Sequence, residues 1–186
     1  MKDELISVTE AAHEVRLVSI RLALLHLAYA ETLMRSMGEQ TGRSLVLKAI
    51  KEYGRMIGNQ VREAVMRQGL PLLPENYGKG ESRDLPRFGM HGSVEEIEVG
   101  GENRIRVHGC VLAEVWKAYG KERLGRLYCY VDPAKYMSFN PEYKLAHIKT
   151  VLEGEPYCEF CIRRTTEQER ELFLSEEEEW IRVDTC

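Results

Sequence analysis

Clustered positive charge is missing from this sequence. Its 26 lysines and arginines are scattered, and 30 acidic residues leave a net charge of −4 over 186 residues. A nucleic-acid surface needs cations gathered on one face to neutralise phosphates, so nucleic acid is not an expected partner. No uninterrupted apolar run reaches the roughly 18–20 residues that cross a bilayer. The opening stretch MKDELISVTEAAHEVR is charged where a signal peptide has its apolar core. The expectation is a cytoplasmic protein with no membrane partner. Gly-x-x-x-x-Gly-Lys-Ser/Thr, Gly-x-Ser-x-Gly and His-Glu-x-x-His are also missing. Without them the phosphate-loop, serine-hydrolase and zincin classes have no support. A second Cys-x-x-Cys, which a zinc ribbon requires, does not occur. Cys186 is not followed by the three residues of a prenylation box.

What is present suffices for one domain over residues 1–186. Apolar residues make up 44%, enough to bury a core. Five cysteines is an odd number. In a reducing compartment thiols are more often buried, metal-bound or catalytic than paired.

Residues 1–68 read as a helical layer. SVTE at 7–10 has the spacing of a capping box. From there to Met37, Val15, Val18, Leu22, Leu25 and Tyr29 recur at helical spacing, and Gly38 is a stop. A second helix fits residues 44–68, with Leu47, Ile50, Met56 or Ile57, Val61 and Val65 on one side. The short Gly-containing link between them predicts an antiparallel hairpin. Gly54 and Gly58, with Gly38 and Gly42 before them, suit a close approach of these two helices. Residues 69–93 lose the pattern and are punctuated by proline and glycine, as in a lid or a linker.

Residues 94–164 read as ββ-α-ββ. Val94, Ile97, Val99, Ile105 and Val107 alternate around a Gly-Gly-Glu-Asn turn, which predicts a β-hairpin. CVLAEVWKAYG is a short helix, KERLGRLYCYVDPAKYMSFNP is helix and turn, and YKLAHIKTVLEGEPYCEFCIRR is a second hairpin folded at Gly154, Glu155 and Pro156. Residues 165–186 are an acidic tail, with SEEEEW as a solvated helix end. The expected class is α+β: a helical hairpin packed on a small antiparallel sheet built from two hairpins.

Cys158 and Cys161 form a Cys-x-x-Cys pair. Redox or metal chemistry needs both sulfurs on one side, which a helix N-terminus or a tight knuckle provides. Here the pair falls within a predicted strand, where residues three apart point to opposite faces. Cys158 then shares the core face with Phe160 and Ile162, while Cys161 shares the other with Glu159 and Arg163. Cys110, Cys129 and Cys158, together with Asp132, each lie near the end of an element of one small sheet and could converge. Against this stands the reading of each cysteine as a small buried apolar residue.

HGCVLAEVWKAYG, LYCYVDPAKYMSFNP and HIKTVLEGEPYCEF follow one another with short gaps. This succession resembles the L-2-amino-thiazoline-4-carboxylic acid hydrolase family over roughly residues 20–165. Cys110, Cys129, Asp132, Asn140, Thr150, Gly154 and Cys158 match its pattern, and Cys161 and Cys186 are additions of this sequence. The resemblance implies a bacterial cytoplasmic hydrolase that opens a cyclic amidine-like C–N bond in a small sulfur amino acid. A looser similarity links the tail pattern to 4-vinyl reductase type small-molecule-binding domains. That similarity implies a sensor in which cysteines and an acid hold zinc, although VDPAKYMSFNP stands where a Gly-Tyr-rich stretch is expected.

Ring opening of a thiazoline carboxylate needs a cation for the carboxylate, an acid for the protonated amidine and a nucleophile for its carbon. Arg104, Arg106, Lys149 or Arg163 would serve as the cation, and His108 and Asn140 complete the candidate binding set. Asp132 is the candidate acid, set against a plain helix N-cap in Asp-Pro-Ala. The nucleophile is a thiolate of Cys129 or Cys158, with His108 or His147 as base and Cys110 nearby, or a water activated by zinc. No cofactor is firmly implied, and zinc is the one candidate. His147, mid-strand, also reads as an ordinary sheet residue. The exposed helices admit a homodimer.

Overall fold

The structure, a computed structural model, describes residues 6–79, 86–175 and 177–186. Helix α1 (Val8–Met37) opens on the expected capping box: Ser7 Oγ accepts the Glu10 amide, and the Glu10 carboxylate accepts the Ser7 amide. Gly38, at φ 84°, is the entire link to α2 (Glu39–Arg67). Because one glycine at positive φ reverses the chain, α2 begins several residues earlier than its apolar spacing suggests.

Small residues make up much of the buried face of α1, which meets α2, α3 and α4. Ser19, Ala23, Leu27 and Ala30 are buried, whereas Val18, Leu25 and Tyr29, expected inside, are more than half exposed. Large side chains cannot sit where the backbones come this close. Gly42 marks the contact, since a Cβ there would run into the Met34 backbone. By length and composition α1 is apolar enough to cross a membrane, a longer apolar stretch than the sequence reading allowed; here it packs against α2, α3 and α4. On α2, Leu47, Ile50, Val61 and Val65 are buried as expected, and Ile57, not the exposed Met56, turns inward. Gly54 and Gly58 do not serve the α1 contact. They face α5 (Val131–Phe139), where a Cβ would meet Ala134 and the Lys135 carbonyl.

Strands β1 (Ser93–Val99), β2 (Glu102–His108), β3 (Tyr143–Lys149) and β4 (Cys158–Arg164) form one antiparallel sheet in the order β1-β2-β4-β3. Gly100 and Gly101, both at positive φ, make the two-residue turn of the first hairpin. Between the hairpins lie α3 (Val111–Ala118), α4 (Glu122–Cys129) and α5. The fold is α+β, as expected. One face of the sheet packs on α5, which is backed by α2.

The tail is not a solvated end. Helix α6 (Glu167–Leu174) and a 3-10 turn (Glu178–Val183) fold back. Trp180 and Val183, three apart on that turn, are 1% and 0% exposed against Ala134, Met137 and Phe173. Of the glutamates that suggested solvation, Glu177 and Glu179 are exposed and Glu178 pairs with Arg43. Lys144 on β3 holds the tail through Glu169 (2.7 Å) and the Val183 carbonyl (2.6 Å), with a further bond to the Thr185 carbonyl.

Candidate functional site

A cavity of about 530 Å³ lies between the inner face of the sheet, α3–α5, part of α2 and the described parts of the 69–93 loop. Strand alternation decides what reaches it. On β4, Cys158 and Phe160 point in. Cys161 points to the other face, where it is bonded to Cys186 in a disulfide, the less common state expected of thiols in a reducing compartment. On β3, Leu145 and His147 point in; on β2, Ile105 and Val107 do so. Cys110 enters from the N-cap of α3, Cys129 from the last turn of α4, and Asp132, Lys135 and Tyr136 from one side of α5. The three free thiols and Asp132 thus line one cavity.

Those thiols sit in weakly solvated surroundings. Burial pushes the Cys110 thiol up to about 11; the neighbouring Cys158 and Asp132 add to this, while the Ala113 and Leu112 amides of α3 oppose it. Cys129 is raised well above its ordinary value by burial, although Arg126 favours its thiolate. Cys158 is raised as well, again by burial, with the Val151 amide and the Thr150 hydroxyl acting against the rise. Its Sγ lies 3.9 Å from Thr150 Oγ1. All three therefore rest as thiols at neutral pH.

His147 joins the cavity to the tail. Its Nδ1 lies 2.9 Å from Asp184 Oδ1, and its backbone amide donates to the same oxygen at 2.8 Å. Burial would raise the Asp184 pKa, but the charges and hydrogen bonds of His147 and the Arg126 guanidinium outweigh it and hold the carboxyl below its ordinary value. Arg126 Nη2 lies 2.6 Å from Asp184 Oδ2. An ionised carboxylate only accepts, so Nδ1 carries a hydrogen, and whenever the ring is neutral Nε2 is its basic nitrogen. Nε2 is 3.7 Å from Asp132 Oδ2. Asp132 is not an N-cap: it lies inside α5, whose N-cap is Tyr130, and it pairs with Lys135 at 3.0 Å.

The remaining candidates lie elsewhere. With Ile105 and Val107 facing in, Arg104, Arg106 and His108 must face out. Arg104 and Arg106 each bind Glu159 at 2.8 Å on the outer face. His108 packs near Tyr157 and Glu95. Asn140 ties the loop, donating to the Leu72 carbonyl (2.6 Å) and accepting the Glu142 amide (2.9 Å). Lys149 pairs with Glu155, and Arg163 with Glu169. Among the described residues the cations in the cavity wall are Arg87 and Lys135. No group of three His, Cys, Asp or Glu side chains is placed to hold a metal ion among the described residues. Asp184 was hidden in the acidic tail. The spacing of Trp180 and Val183 marks one side of that segment as buried, without naming β3 or His147 as what it meets.

Fold and cavity together define an α+β protein with an internal chamber lined by cysteines and an acid–histidine pair. The chain belongs to the L-2-amino-thiazoline-4-carboxylic acid hydrolase family, whose sequence model matches residues 18–162. That match takes in the three cavity thiols, Asp132 and His147, and stops before Asp184. No curated protein and no solved structure gave a significant match.

Proposed function

We propose that the cavity hydrolyses the ring C–N bond of a cyclic amidine of the 2-amino-thiazoline-4-carboxylate type, with Cys158 as nucleophile and His147 as base. The observation that carries this reading is the Asp184–His147–Asp132 array opening onto a chamber that also holds Cys158. Cys158 shares the inner sheet face with His147, near the register partner Phe160. Because the thiol rests protonated, attack requires a base, and the lone pair on His147 Nε2 supplies one. Asp184 keeps the ring in that tautomer and steadies the imidazolium once it forms. Asp132 pairs with the protonated amidine, and Arg87 or Lys135 takes the substrate carboxylate.

In the first step the sulfur bonds to the amidine carbon, and its proton passes to His147. The imidazolium returns that proton to the ring nitrogen as the C–N bond breaks. Water, deprotonated by the same histidine, then adds to the carbon. The Cys158 sulfur leaves with the proton, and a thiocarbamate of the opened amino acid is released. Cys129 and Cys110 border the site without a bond-making role.

The test is hydrolysis of the thiazoline by purified protein. Cys158→Ser and His147→Gln should each lower the rate by at least about 100-fold. Full activity in Cys158→Ser would remove the thiol from the mechanism.

A further inference from the structure

The chamber is larger and more apolar than the small amino acid of the family's name requires. At roughly 30 Å³ for each water-sized unit, its volume holds about 18 units, whereas a thiazoline carboxylate has about nine non-hydrogen atoms. The surplus space has a direction. Along the sheet, the Val107–Cys158 level gives way to Ile105–Phe160 and then to Leu145–Ile162. Those four residues of strand span about 13 Å. The helical wall changes in the same sense: four residues beyond Asp132, Tyr136 faces the cavity and stacks on Tyr77 at 4.3 Å. Leu145, Tyr136, Tyr77, Phe160 and Ile57 belong to one apolar cluster, so both walls run from polar groups into it.

We infer that this chain's substrate is an amphiphile: a cyclic C–N head at the Cys158–His147 end bearing an apolar, aromatic substituent that occupies the end walled by Ile57, Tyr77, Tyr136 and Leu145. This rests on the hydrolase reading for the head alone; the tail end is argued from the shape of the cavity. Ligand sites of this volume take molecules well beyond nine atoms, held by apolar and aromatic walls and oriented by a few polar groups.

The experiment compares binding of 2-amino-thiazoline-4-carboxylate and its 5-benzyl derivative by calorimetry, with hydrolysis of each followed separately. The derivative should bind at least about 10-fold more tightly, the scale expected for burying part of an aromatic ring. Leu145→Trp and Ile57→Trp, which fill the tail end from different elements, should each abolish that preference. Circular dichroism reports whether each is folded, and either folded variant decides. A derivative that binds less than 10-fold more tightly, or two compounds that both fail to bind, overturns the inference. So does a preference that survives in the folded variants. If the derivative binds tightly and neither compound is hydrolysed, the amphiphile inference stands and the hydrolytic mechanism falls.

Discussion

His147 is where the chemistry of the site is set, and a residue 37 positions further along the chain sets it. Asp184 is 7% exposed, ionised and bonded to both the ring and the backbone of His147. Its folded pKa lies below its unfolded value, so the stability it contributes is complete above the unfolded value near 4 and is lost as pH falls through the folded one. Asp184→Asn should therefore destabilise the fold by a constant amount above about pH 5, and the difference from wild type should shrink below about pH 4. Urea unfolding at a series of pH values checks this. A difference that instead grows on acidification would mean that Asp184 is protonated in the folded protein. None of this was legible in the sequence, because a histidine in a strand and an aspartate in a glutamate-rich tail carry no mark of being partners.

Between the helices, backbone proximity decides what alternation and periodicity cannot. The strands were readable: period two correctly separated Cys158 from Cys161, and the same rule turns Arg104, Arg106 and His108 away from the cavity once Ile105 and Val107 face in. The inward face of α1 was only partly readable, because Ser19, Ala23 and Ala30 share it with Leu27 while Val18, Leu25 and Tyr29 face out. The glycines of α2 were seen as a close-packing feature, yet their partner, α5, could not be inferred without the tertiary fold. Gly58→Ala tests that contact. Helix propensity alone favours alanine by about 1 kcal/mol. The new Cβ would meet the Lys135 carbonyl, a backbone atom that cannot rotate aside, and overpacking of this kind costs about 1–3 kcal/mol. The clash should win, giving a net loss of stability in thermal or urea unfolding. Activity should fall as well, since α5 carries Asp132. A stabilised variant would show that α5 can move away from α2.

In the molecule as a whole, the sheet separates two kinds of sulfur. Its inner face carries a free thiol and its outer face a disulfide whose cysteines are 25 residues apart. Three of the five cysteines should react with a thiol reagent in unreduced, denatured protein, and all five after reduction. Cys186→Ser should cost about 3 kcal/mol, the scale for opening a loop of this length. Five reactive thiols before reduction would show that the pair does not form. The α+β class, the two hairpins and the convergence of Cys110, Cys129 and Cys158 with Asp132 were all legible, because each rests on local periodicity or on the family pattern. The tail's return to β3 depends on contacts between distant segments, which local patterns do not encode. The tight seating of α5 on α2 has one more result. A helix seated against glycine has little room to recoil toward α2 when a guest arrives, so that side of the chamber acts as an anvil. Strand β1, which lines the chamber through Val94 and has a neighbour on one side only, is where give is expected, and a bulkier guest should reveal itself as displacement of that outer strand.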